Sequence, residues 1–114
     1  MHGYKKMNES EFNQRVEDVI GLIEERLDQT DADLDYETTG GVLTISFANG
    51  SKIIINRQTP MKQIWIATKS GGFHFEFNPE LDAWLKDDDG TELFVALGSY
   101  CTEQAGEPVD LAEE

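Results

Sequence analysis

The sequence predicts an α+β fold in two layers, with N- and C-terminal helices packed on one face of a largely antiparallel sheet of five to six strands. Three observations point there. Residues 8–28 repeat their apolar side chains at the helical period, residues 31–86 switch to short runs with a period of two, and the helical period returns after residue 91. Helix, then strands, then helix covers one sheet face and leaves the other to solvent. At 114 residues the chain suits a single domain. Its expected limits are 7–106, with an N-terminal tail or vector-derived remnant over 1–6 and an acidic tail over 107–114.

The opening helix is expected from Asn8 to Asp28. Glu11 stands three residues after Asn8, a spacing that lets each side chain cap the other's backbone N–H. Phe12, Val16, Val19, Ile20, Ile23 and Leu27 fall on one stripe at about 100° per residue, the width of a core-facing helix. Glu17, Glu24 and Asp28 lie on the flank of that stripe, and Asp18 and Glu25 farther round.

Next, Asp31, Asp33, Asp35 and Glu37 alternate with Ala32, Leu34 and Tyr36, the pattern of a half-buried edge strand with a carboxylate at every outward position. Gly40-Gly41 turns the chain into a strand over 42–48. Asn49-Gly50 is a two-residue hairpin signal leading into a strand over 52–57. Pro60 separates that hairpin from a strand over 63–69, and Ser70-Gly71-Gly72 turns into another over 73–78. A shorter one near 83–86 ends at Asp87-Asp88-Asp89-Gly90. Thr91 is then the expected cap of a second helix, in which Leu93, Phe94, Leu97, Tyr100 and Cys101 share one face. Val109 and Leu111 stand out in the acidic end as residues able to tuck against the helices.

Alternation assigns the faces of the sheet. If Ile64 and Ile66 face the helices, Trp65 lies on the bare side, and by the same rule Asn56, His74 and Gln58 join it while Ile53, Ile55, Phe73, Phe75 and Phe77 enter the core. An exposed tryptophan suits a partner interface, though it also serves as a cross-strand packing residue.

Charge narrows the function. Twenty-three acidic residues against nine basic ones give a net charge of -14, which disfavours nucleic acid and anionic lipid. No stretch approaches the roughly 20 apolar residues of a membrane span, so a cytoplasmic protein is expected. A single cysteine, Cys101, excludes an intramolecular disulfide. Catalysis is not expected, since Cys101 falls on a core face and no nucleophile stands beside a base.

Glu17, Glu24, Asp28, Asp31, Asp33, Asp35 and Glu37 are expected to form a ridge with few cations in it. Carboxylate oxygens suit hard cations such as iron, manganese, calcium and magnesium. A charged run also serves simply as a solvated face that guards a sheet edge. The Asp31-x-Asp33-x-Asp35 spacing is not an EF-hand, because Tyr36 holds the glycine position and Val42 the closing glutamate position. Alternate strand side chains splay by about 7 Å, so sites here are expected to be shallow, hydrated and weak.

The stretch Asn56-Arg57-Gln58-Thr59-Pro60-Met61-Lys62-Gln63-Ile64-Trp65 resembles the central signature of the frataxin family. Gly50-Ser51-Lys52-Ile53-Ile54-Ile55 and Gly71-Gly72-Phe73-His74-Phe75 are similar to its bacterial branch, as are Glu24-Glu25-Arg26-Leu27-Asp28 and Gly40-Gly41-Val42-Leu43-Thr44. The resemblance runs from Met7 to about Gly106. It implies an iron-binding protein, holding Fe2+ or Fe3+ weakly and admitting other divalent cations, on Glu24, Glu25, Asp28, Asp31, Asp33, Asp35 and Glu37.

It further implies docking on a cysteine desulfurase and the iron–sulfur scaffold complex through Asn56, Gln58 and Trp65, with His74 beside them, and regulation of cluster assembly by a chain that is monomeric without metal. Gln29 departs from the family, whose members often carry a carboxylate there. The segment between helix and strand is shorter and the acidic tail longer than usual. Two other classes remain, an iron-oxidising or storage protein and a metal-independent acidic adaptor. The first lacks a Glu-x-x-His element.

Overall fold

The computed structural model describes residues 7–112, so the tail expected over 1–6 and the last two acidic residues lie outside the described residues. Helix α1 spans Glu9–Asp28, and Asn8 and Glu11 close the expected capping box. All six apolar residues of the stripe are buried, Phe12 and Ile23 completely. Six strands follow as a meander, each antiparallel to the next: β1 Leu34–Thr39, β2 Val42–Phe47, β3 Lys52–Gln58, β4 Gln63–Thr68, β5 Gly71–Asn78 and β6 Ala83–Lys86. Helix α2, Leu93–Ala105, completes the order.

The core lies between the helices and one sheet face. Leu43, Ile45, Ile53, Ile55, Ile64, Ile66 and Phe75 are fully buried against Phe12, Ile23, Leu93, Leu97 and Cys101. Truncating one of these isoleucines to alanine removes about 2–5 kcal/mol by leaving a cavity. The tail belongs to this core. Val109 and Leu111 are buried, Thr102 bonds both the N–H and the C=O of Val109, and Arg26 donates to the Leu111 carbonyl at 2.5 Å. The tail crosses α2 closely at a glycine: a Cβ on Gly98 would lie 3.2 Å from the Val109 carbonyl oxygen and 3.3 Å from the Leu111 nitrogen, tight enough that the tail would have to shift by a few tenths of an ångström.

Four local expectations are corrected. Asp31 and Asp33 precede β1 rather than sit in it, because Leu34 N–H turns back onto the Ala32 carbonyl. The β2–β3 turn encloses three residues, 48–50, rather than two: Phe47 N–H donates to the Ser51 carbonyl, closing the turn, and Gly50 takes a left-handed φ of 88°. Gly71 and Gly72 lie within β5, paired with Thr68 and Ala67. Glu92, not Thr91, caps α2 by accepting from Val95 N–H, since Asp89 holds both the N–H and the hydroxyl of Thr91.

One buried side chain ties the layers at their far end. Gln104 accepts from Lys69 N–H and donates to the Ser51 hydroxyl and the Lys52 carbonyl, fixing the β2–β3 and β4–β5 turns to the end of α2.

Candidate functional site

On the open sheet face, Asn56, Trp65 and His74 form one cross-strand row through the register of β3, β4 and β5. The His74 ring stacks on the Trp65 indole with centroids 4.6 Å apart and planes 22° from parallel. Trp65 stays 38% exposed, enough indole surface to offer a partner. Gln58 lies in the adjacent row, opposite Gln63 and thence Glu76. Sequence reasoning missed the device in that row. Trp65 Nε1 donates to Gln63 Oε1 at 2.8 Å, and Gln63 Nε2 donates to Glu76 Oε2 at 2.8 Å.

Gln63 is 5% exposed, so this chain sets the indole from a protected position. His74 Nδ1 lies 3.6 Å from Asp87 Oδ2, and Ile54, 41% exposed, extends the apolar surface one row toward β2.

The acids lie along α1 and β1, the latter three strands from β4 in the same sheet. Tyr36 hydroxyl donates to Asp28 Oδ1 at 2.7 Å, and Thr38 hydroxyl donates to Glu24. The hydrogen bond to Asp28 comes first among the causes that push the Tyr36 phenol up to about 12. Desolvation and the negative charges of Asp28 and Glu24 add to it.

Asp35 and Glu37 alternate with these donors, and their register with Ser46 and Thr44 puts them on the open face, with Glu37 in the row of Ile54 and Ala67. The acids therefore flank β1 on two sides rather than form one strip. Asp31 and Asp33 are exposed at the start of the strand, where Glu107 accepts from Asp33 N–H at 3.3 Å. Glu25 lies away from the strand, lining a shallow cleft with Arg26, Gln29 and Asp110.

Among the described residues none of the seven expected iron-ridge acids forms an ion pair, and no three Asp, Glu, His or Cys side chains come close enough to hold a metal ion together. The donors have the hard-oxygen chemistry that iron takes, spread along a rim without a preformed cage. Cys101 is fully buried, and desolvation pushes its thiol up to about 12, the opposite of an activated nucleophile. Among the described residues no helix is long and apolar enough to cross a membrane.

Residues 5–107 match the frataxin-like domain family. An iron-sulfur cluster assembly protein CyaY from Paraburkholderia phymatum is 51% identical over 107 residues, covering 93% of this chain and 99% of its own length. The protein of that name from Vibrio vulnificus is 47% identical over 106 residues, covering 93% and 100%. Among solved structures, a frataxin from Psychromonas ingrahamii superposes with a TM-score of 0.85 at 39% identity, over 94% of this chain and 100% of the other. A ferrous complex of trimeric frataxin from Saccharomyces cerevisiae gives a TM-score of 0.64 at 24% identity, over 94% of each chain, a likeness of fold.

Proposed function

This chain belongs to the frataxin-like family, and from that premise we propose that it serves iron–sulfur cluster assembly as a non-enzymatic, iron-responsive regulator of the cysteine desulfurase and scaffold complex. The proposal takes its biochemical setting from relatives named iron-sulfur cluster assembly protein CyaY. The observation that carries it is the pairing of an acidic rim without ion pairs among the described residues and an exposed, pre-oriented tryptophan on the same sheet.

Iron is cargo in this reading. Glu24, Glu25, Asp28, Asp31, Asp33, Asp35 and Glu37 hold it weakly as Fe2+ or Fe3+, with most of its water retained, and other divalent cations compete. The same negative rim steers the protein toward a basic partner surface, while Asn56, Gln58, Trp65 and His74 anchor the complex. Iron on the rim neutralises part of the steering charge, so docking weakens as iron accumulates. The working unit is residues 7–106 with the tail through Leu111 packed on it, monomeric without metal and acting in the cytoplasm, with no role for nucleic acid or membrane.

The test is NMR shift mapping with separate additions of anaerobic ferrous iron and desulfurase. Iron is expected to perturb residues from Glu24 to Glu37, and the desulfurase to perturb Asn56, Trp65 and His74 together with the rim. Iron shifts scattered outside the rim, or desulfurase shifts that avoid the Trp65 row, overturn the assignment.

The spread of the carboxylates also favours a second reading, an acidic adaptor that docks without metal. Asp31→Lys with Asp33→Lys separates the two. Lost desulfurase capture, with no iron binding even in the unsubstituted chain, supports the adaptor.

A further inference from the structure

The two edges of the sheet are finished differently. At β6 the next segment folds back on the strand: Lys86 N–H donates to the Thr91 carbonyl, and Leu85 bridges Glu92. At β1 no strand and no backbone hydrogen bond among the described residues closes the outer edge.

The hydrogen-bond phase tells which groups are free there. Phe47 N–H bonds Ser51 across the β2–β3 turn, so odd-numbered residues of β2 pair with β3, and Thr44 and Ser46 pair with β1. Their partners are Glu37 and Asp35, which leaves the N–H and C=O of Tyr36 and Thr38 pointing outward. Meanwhile the side chains of Tyr36 and Thr38 are tied to Asp28 and Glu24 on α1, which keeps them clear of that edge.

We propose that the open edge of β1 docks an extended basic segment of a partner protein, which adds to the sheet as one further antiparallel strand. This rests on the reading of the acidic rim as a partner-docking surface and deepens it. In such a pairing the residues opposite Tyr36 and Thr38 exchange backbone hydrogen bonds with them. The residues opposite Asp35 and Glu37 place their side chains beside those carboxylates on the open face. A lysine or arginine at every second position of the segment meets that demand. A second copy of this chain does not, because its own β1 would set carboxylate against carboxylate.

The probe is a synthetic nonapeptide with lysine at alternate positions, added to the full chain at low salt and followed by NMR. Binding is expected to slow amide exchange at Tyr36 and Thr38 at least tenfold. Methylating the backbone nitrogens of the residues between the lysines is expected to weaken binding at least tenfold, whereas methylating the lysine nitrogens leaves it unchanged. Equal binding by both methylated peptides overturns strand addition while leaving electrostatic docking on the rim intact. Failure of every peptide overturns strand addition too, and the desulfurase titration then judges the rim separately. Reversing Glu37 with Glu37→Lys is expected to reduce peptide affinity at least fivefold, and no change counts against the register.

Discussion

Trp65 is held from two directions, by the His74 ring stacked on it and by Gln63 at its indole nitrogen. Three strands away, Asp35 and Glu37 have no cation among the described residues to hold them, and Glu37 meets only the Thr39 hydroxyl at 3.0 Å. One region is fixed before any partner arrives, so little conformational entropy remains to be lost on docking. The other keeps its charges uncompensated, so its field extends into solvent over roughly a Debye length, about 8 Å at physiological salt. The difference teaches a division of labour in recognition: the rim sets how often partners meet, and the aromatic row sets how long they stay.

The largest expected effect is at the anchor. Trp65→Ala is expected to weaken desulfurase binding by about 2 kcal/mol or more, roughly 30-fold, while moving the urea midpoint little, because the side chain is partly exposed already. Calorimetric titration checks the first and equilibrium unfolding the second; an unchanged affinity breaks the comparison outright.

A smaller effect sharpens the role of the hidden glutamine. Gln63→Leu removes the acceptor of the indole N–H, and about 1 kcal/mol of binding is expected to go with it. The indole proton resonance reports whether the ring has come loose, and a resonance that stays put denies Gln63 that role.

On the rim, Asp35→Asn with Glu37→Gln is expected to raise stability by about 0.5 kcal/mol, an advantage that added salt erases. Stopped-flow association is expected to show a lower on-rate with the off-rate nearly untouched. The reverse pattern would make the acids anchors rather than steering charges.

The smallest change is local. The Tyr36 phenol is raised above its ordinary value, so its folded-state stabilisation is complete below about pH 10 and disappears as pH climbs through about 12. Asp28→Asn is expected to return the titration toward about 10, followed as tyrosinate absorbance in the difference from Tyr36→Phe. A titration that ignores the substitution would mean that Asp28 is not its hydrogen-bond partner.

The legible parts of the fold are those where one residue period decides the outcome. The α1 stripe and its Asn8–Glu11 cap follow from spacing alone, and the facing of Asn56, Trp65 and His74 follows from strand alternation. Local competition hid the rest: Asp89 takes both donors of Thr91, which leaves the cap of α2 to Glu92. Contacts distant in sequence hid more. Asp33 is reached by Glu107, and Gln63 links Trp65 to Glu76 on another strand. The rim was legible as composition but not as geometry, because side-chain parity sends Asp35 and Glu37 to one side of β1 while Glu24 and Asp28 are bonded from the other.

The crossing of Gly98 by the tail bears on how the protein is made. A nascent chain exposed only as far as Gly106 already carries both helices and all six strands, yet its apolar interior still lacks Val109 and Leu111. Until synthesis passes residue 111 the helix pair stays unsealed at that crossing. Any folding intermediate in which that last segment has not docked therefore leaves greasy surface open to water.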